Sequence, residues 1–242
     1  MREAGRIVGR VLEEIETLIR PGITTRQLDQ HAEGLIRRWG GEPAFKGYRG
    51  FPASICTSVN EEVVHGIPGG RILKERDIIG IDVGVRIHGY YGDAAATFPV
   101  GKVDDVARRL LEVTQEALRL GIQEGRVGAR LSNISHAIQR YVESCGFSVV
   151  RDFVGHGIGS SIHQDPQVPN FGQPNQGVAL KEGMALAIEP MVNVGGPEVM
   201  ILEDGWTVVT KDRAPSCHFE HTIAIREGDP EVLTEWHPRK NR

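Results

Sequence analysis

Cysteine is scarce: Cys56, Cys145 and Cys217 are the only three in 242 residues, widely spaced and without a C-x-x-C pair. An odd, scattered set excludes a disulfide framework and fits free thiols in a reducing compartment. Also missing is any run of eighteen apolar residues, and the opening Met1-Arg2-Glu3-Ala4-Gly5-Arg6 lacks the apolar stretch of an export signal. Neither export nor membrane insertion is expected, which leaves a cytoplasmic protein with no membrane partner. Positive charge is not in surplus, since the formal net charge is -4. That balance argues against nucleic-acid binding, and the short basic run Arg239-Lys240-Asn241-Arg242 reads as a solvated tail. No linker rich in Ser, Gly or Pro divides the chain. With 40% apolar residues it is expected to form one domain over residues 1–242, built on one core.

Amphipathic periodicity supplies four helices. Ile7, Val11, Ile15 and Leu18 form a stripe that Pro21-Gly22 stops. Thr24-Thr25-Arg26-Gln27 offers a capping box, after which Leu28, Ala32, Leu35, Ile36 and Trp39 recur at helical spacing up to Gly40-Gly41. The pattern then returns with Val106, Leu110, Val113, Ala117 and Leu120, followed by Leu131, Ile134, Ile138, Tyr141, Val142 and Cys145 before Gly146. Gly22 and Gly128 differ by 106, as do Gly40 and Gly146, so the helix pairs are spaced as a repeat. Strand-like runs lie at 54–59, 78–85, 94–98, 184–188, 206–210 and 222–225, punctuated by clusters such as Pro68-Gly69-Gly70. The expected class is α+β, with helices on one face of a sheet and carboxylates projecting from the other.

The repeat also carries chemistry. Leu73-Lys74-Glu75-Arg76-Asp77-Ile78-Ile79-Gly80-Ile81-Asp82 runs parallel to Leu180-Lys181-Glu182-Gly183-Met184-Ala185-Leu186-Ala187-Ile188-Glu189, and positions 82 and 189 differ by 107. A second carboxylate follows each first one, Asp93 after Asp82 and Glu220 after Glu189. Any one of these alone reads as a surface ion pair. Four brought together repel strongly, and ionised groups stay in apolar surroundings only when paired or bound to metal. Two divalent cations would balance the charge, with shared carboxylates holding them about 3.5–4 Å apart as in two-metal hydrolytic sites. Oxygen-rich ligation completed by one imidazole suits Mn, Fe or Co at least as well as Zn.

Of nine histidines, His31, His88, His136 and His237 fall in charged or helical stretches and read as surface residues. His156, inside Gly155-His156-Gly157-Ile158-Gly159, and His163, before Gln164-Asp165-Pro166, lie where backbone can approach closely. One could bind metal and the other act on substrate. The glycine run is not a phosphate loop, because neither a helical pattern nor Lys-Ser/Thr follows it. His65, at an apolar strand end before a turn, reads by itself as structural.

Together these segments resemble type I methionine aminopeptidases. The resemblance is carried by Asn60-Glu61 to Pro68, Ile81-Asp82-Val83-Gly84, Gly92-Asp93, Gly155 to Gly159, His163 with Pro166-Gln167-Val168-Pro169, Ile188-Glu189-Pro190-Met191 and Phe219-Glu220-His221-Thr222, in order over roughly residues 5–227. It implies the pita-bread fold, with half-repeats of about 5–100 and 104–227 related by a pseudo-twofold, a curved central sheet, helices on its outer face and a C-terminal tail at 228–242. It further implies Asp82, Asp93, His156, Glu189 and Glu220 as ligands of two divalent ions, Asp93 and Glu220 bridging, with Co, Mn, Fe, Zn and Ni all admissible. His163 would contact the scissile carbonyl, His65 the reacting peptide near its nitrogen, and Glu189 would accept the proton of an attacking, metal-activated water. Tyr48, Phe51, Cys56, Ile162 and Trp206 would wall a methionine pocket. Phe45 and Ile162 depart from the cysteine and aromatic residue more usual in the family.

The implied activity is removal of the N-terminal methionine from nascent polypeptides, with a small second residue preferred, by a monomer acting near the ribosome. A proline-specific peptidase shares the ligands, but only about eighty residues precede Asp82, all needed for the first half-repeat. A type II enzyme is disfavoured because Glu189 and Glu220 are 31 apart, too close for its helical insertion. A non-enzymatic module would not need all five ligands and both histidines. The N-terminus shows no zinc-finger or Pro-rich docking arm.

Overall fold

Capping and glycine signals set the helix ends in the computed structural model, which describes residues 1–237. The basic run expected as a solvated tail, 239–242, lies outside the described residues. α1 (Arg2–Glu16) is followed by α2 (Thr25–Arg38), whose N-cap Thr24 hydroxyl accepts from Gln27 N while the Gln27 side chain accepts from Thr24 N. This is the reciprocal box the sequence predicts. α3 (Asp105–Gln123) and α4 (Ser132–Ser144) repeat the pair. The four repeat glycines share a left-handed φ, 95° at Gly22, 81° at Gly40 and 83° at both Gly128 and Gly146. Glycine adopts that conformation without steric cost, so it marks the same points in both halves. Two helix expectations shift. α1 ends before Leu18, and Val106 is 50% exposed because the buried face of α3 runs through Ala107, Leu110, Thr114 and Leu118.

The first half contributes β1 (Glu42–Pro43), β2 (Cys56–Val59), β3 (Glu62–Val64), β4 (Ile78–Ile87) and β5 (Tyr90–Pro99). The second contributes β6 (Ser148–Val149), β7 (Gly155–Gly157), β8 (Gln164–Val168), β9 (Ala185–Ile188), β10 (Met191–Asn193), β11 (Val199–Ile201), β12 (Val208–Thr210), β13 (Ser216–His218), β14 (His221–Ala224) and β15 (Glu231–Val232). In the first half β4 lies between β2 and β5, both antiparallel to it. In the second, β9 lies between β7 and β14, again antiparallel.

Between the halves, β5 meets the 218–222 segment along an antiparallel seam. Ala95 and Glu220 exchange backbone bonds, Ala95 N to Glu220 O at 3.3 Å and Glu220 N to Ala95 O at 2.8 Å. On one side of this pair Thr222 Oγ1 accepts from Asp93 N at 3.0 Å and donates to Asp93 O at 2.7 Å. On the other, Thr97 Oγ1 accepts from His218 N at 3.0 Å and donates to His218 O at 2.7 Å. Each threonine hydroxyl thus satisfies the backbone groups that a regular ladder would pair. Strand pairing accordingly divides among four- and five-stranded sheets and two three-stranded ones, with this seam joining the larger two. Thr222→Val keeps the shape and leaves the buried Asp93 N–H and C=O unpaired. A loss of about 2–3 kcal/mol is expected, read in thermal unfolding as a Tm drop of roughly 2–4 °C per kcal/mol. An unchanged Tm would show that the seam contributes nothing.

One apolar core draws on both halves, from Ala4 to Trp236. The segment after 227, expected as a tail, is docked where it is described: β15 pairs with β14, and Leu233 and Trp236 are buried. Its backbone lies on α1 at Gly5 and Gly9, where an added Cβ would come 2.1 Å from Leu233 O and 2.3 Å from Glu235 O. Residues four apart share a helix face, so two missing side chains make one groove. No helix among the described residues is long and apolar enough to cross a membrane.

Candidate metal centre

Strand register brings the carboxylates together. Asp82 on β4 stands opposite Ala95, and Asp93 on β5 stands opposite Gly84, so the two acids are diagonal neighbours on one face. Gly84 leaves space there for the Phe45 ring, which an added Cβ would meet at 2.5 Å. Glu189 follows the end of β9, Glu220 lies between β13 and β14, and His156 is the middle residue of β7. Gly155 and Gly157 let β7 fit between its neighbours, because a Cβ would meet Ala187 O at 2.3 Å from the first and Asp165 O at 2.2 Å from the second.

Asp93, His156 and Glu220 are buried and offer donor atoms within 4.8 Å of one another. Asp82 stands close enough to Asp93 for the two charges to repel, and Glu189 Oε1 lies 3.5 Å from His156 Nε2. Burial raises Asp82 to about 7. It holds Asp93, Glu189 and Glu220 well above the carboxylate range, with mutual repulsion adding to it. Burial also lowers His156 to about 4, so the ring is neutral at pH 7. Its Nδ1–H donates to Gly157 O at 3.0 Å, which leaves the Nε2 lone pair facing the acids. Asp82 Oδ1, Asp93 Oδ1 and Glu220 Oε1 are buried without a hydrogen-bond partner among the described residues. Orphaned carboxylate oxygens converging with an unprotonated imidazole nitrogen are suited to divalent cations, and no ion pair among the described residues satisfies them.

The acids open onto a cavity of about 260 Å³. Tyr48, Phe51, Cys56 and Trp206 line it, as the sequence leads one to expect, together with Phe45 and Arg49. Ile162 packs in one apolar cluster with Phe45, Phe51 and Cys56 and is not among the residues that line the cavity. Trp206 lies in the turn before β12. Asp204 Oδ1 accepts from Trp206 N and Thr207 N, both at 2.8 Å, and Oδ2 accepts from the Thr207 hydroxyl at 2.6 Å. The indole meets Phe51 edge-on, with centroids 5.1 Å apart at 75°.

His65 and His163 stand where this cavity meets a larger, more open one of about 560 Å³. His65 has φ 59° and meets Phe153 edge-on, and burial lowers its pKa to about 4. His163 lies 4.4 Å from His156 between ring centroids, and its Nδ1 is 2.9 Å from the Tyr48 hydroxyl. Sequence reading missed His218, which is buried with Nε2 3.9 Å from Glu189 Oε2 and without a hydrogen bond at that nitrogen among the described residues. The available signal was strand alternation, since two residues before Glu220 is the same face.

Comparison with known proteins agrees with this geometry. The chain matches metallopeptidase family M24 over residues 1–227. It is 59% identical over 234 residues to methionine aminopeptidase 1 of Bacillus subtilis, covering 97% of this chain and 94% of that one. The methionine aminopeptidase of Clostridium acetobutylicum is 52% identical over 235 residues, with 97% and 94% coverage. Among solved structures, methionine aminopeptidase from Thermotoga maritima superposes with a TM-score of 0.96 at 47% identity, covering 97% of this chain and 95% of that one. Prolidase from Pyrococcus furiosus gives 0.80 at 21% identity over 98% of this chain and 63% of that one, a likeness of fold alone. The architecture is the expected pita-bread fold, and the chain belongs to metallopeptidase family M24.

Proposed function

We propose that this chain is a methionyl aminopeptidase, a metal-dependent hydrolase that removes the N-terminal methionine from peptides and newly made proteins. The observation that carries this reading is the set of orphaned carboxylate oxygens opening onto a small, aromatic-walled cavity. Asp82, Asp93, His156, Glu189 and Glu220 would hold two divalent ions, with Asp93 and Glu220 shared between them. Such ions supply Lewis acidity to a carbonyl oxygen and acidity to a water molecule. Co, Mn, Fe, Zn and Ni all suit the donor set, and availability selects among them.

The remaining work belongs to side chains. The small cavity takes the methionine side chain, whose thioether packs against the aromatic walls that include Phe51 and Trp206. The rest of the peptide runs into the larger cavity, so the scissile bond lies where the two meet, beside His65, His163 and Glu189. Glu189 accepts the proton of the attacking water and returns it to the departing amine. His163 donates a hydrogen bond to the carbonyl oxygen as charge develops there, and His65 contacts the peptide nitrogen. A single catalytic domain of two half-repeats, a monomeric state, a cytoplasmic location and action close to the ribosome belong to the same proposal, drawn from the family.

Metallated protein should release free methionine from Met-Ala-Ser, and cleavage before Ala, Gly or Ser should exceed that before Leu or Lys by on the order of 100-fold. An intact Met-Ala-Ser peptide would end the enzyme reading. Equal rates across the series would end the steric account of the second residue.

A further inference from the structure

Tyr48 does more than wall the small cavity. Its hydroxyl lies 2.9 Å from His163 Nδ1, the one hydrogen bond it makes among the described residues, and the two rings stand 5.2 Å apart at 42°. The turn that carries it is pinned on both sides. Tyr48 N donates to Phe45 O at 2.9 Å, Phe51 N to Tyr48 O at 2.9 Å and Gly47 N to Phe51 O at 2.8 Å. Left-handed φ values of 86° at Gly47, 47° at Arg49 and 89° at Gly50 close the turn tightly. Local backbone therefore delivers the phenol to a fixed place.

A neutral imidazole carries a single N–H, on one nitrogen or the other. With the proton on Nδ1, Nε2 would present a lone pair to a carbonyl oxygen gaining negative charge, which is repulsive. With Nδ1 as acceptor, Nε2 must carry the proton and can donate. The neighbouring His156 has the reverse arrangement, because its Nδ1 faces a carbonyl, Gly157 O at 3.0 Å, and must donate. A carbonyl on one ring and a hydroxyl on the other can set two adjacent imidazoles to opposite tautomers.

We infer that Tyr48 is a positioning residue for the reaction: its O–H donates to His163 Nδ1, holds that ring as the Nε2–H tautomer and aims the hydrogen at the carbonyl of the peptide bond being cut. This rests on the function proposed above. No atom is transferred in the step, since the phenol keeps its proton throughout.

Tyr48→Phe retains the ring and removes only the hydroxyl. In zinc-loaded protein labelled with 15N-histidine, wild-type His163 should show a protonated Nε2 and an unprotonated Nδ1, and Tyr48→Phe should move the ring toward the other tautomer. With Met-Ala-Ser, kcat should fall on the order of 10- to 100-fold, while KM and metal stoichiometry stay unchanged. In a His163→Ala background the same substitution should lower kcat no further. An unchanged 15N pattern in Tyr48→Phe, or equal losses with and without His163, would overturn the inference. The nitrogen measurement does not depend on turnover, so an inactive wild type with the expected tautomer shift would sink the functional reading, and with it the positioning role, while leaving only the tautomer assignment standing.

Discussion

Asp93→Asn is expected to abolish most cleavage of Met-Ala-Ser and, with metal stripped away, to make the protein more stable than the unsubstituted chain. The two effects have one cause. Asp93 is 3% exposed, and burial together with repulsion from Glu220 and Asp82 disfavours its charge. Without cations, replacing it with a neutral side chain of similar shape relieves that repulsion, worth on the order of 1–4 kcal/mol by analogy with other buried ionic groups. With cations, the same change removes a donor shared by both ions, so the gain in stability that ligand binding confers should shrink. Melting curves should therefore cross: the variant higher in chelator, the wild type higher in saturating Mn. Loss of an outer partner of a metal ligand costs about 10- to 100-fold in activity, and loss of a ligand should cost more. His163→Ala should spare metal content and lower kcat. Equal metal content in Asp93→Asn and wild type, with no crossing, would remove Asp93 from the ligand set.

Glu189→Gln is expected to lower kcat for the same peptide by about 10²- to 10⁴-fold, the range for loss of a general base. The amide keeps an oxygen toward the centre and the volume of the side chain, so KM should change little, while relief of the same repulsion should raise the metal-free melting temperature as it does for Asp93→Asn. Asn170, whose Nδ2 donates to Glu189 O at 3.1 Å, holds the backbone there in either case. Glu189→Asp keeps the acid but withdraws it by one methylene, and should fall between wild type and the amide. A kcat for Glu189→Gln within tenfold of wild type would assign the proton to another group.

Legibility in the sequence followed the range of the interactions. The capping box at Thr24 and Gln27 was readable because both partners lie within one turn of chain. The four acids were readable because two local signals coincide, an apolar strand and a carboxylate at its end, and because the pair recurs 107 residues later. The seam was not. Thr97 and Thr222 look like ordinary strand residues until their partners, more than a hundred positions away, are in place. The groove on α1 was hidden for a different reason, since Gly5 and Gly9 act through absent side chains and leave no apolar period. The run at 206–210 begins as a strand only at Val208, because Asp204 captures the amides of Trp206 and Thr207 first. Ile162 packs in one apolar cluster with Phe51 and Cys56, a grouping that depends on packing rather than on spacing.

The seam has a further consequence for how such a centre is put together. The contact from Asp93 to Thr222 is answered by one from Glu220 to Ala95, the same step taken from the opposite strand. In a symmetric homodimer this is the rule of an isologous interface, where each contact made by one subunit is returned by the other. Here both sides are written in one chain. The two faces consequently never dissociate on dilution, and they are free to differ, with Asp on one side and Glu on the other, as two identical subunits cannot.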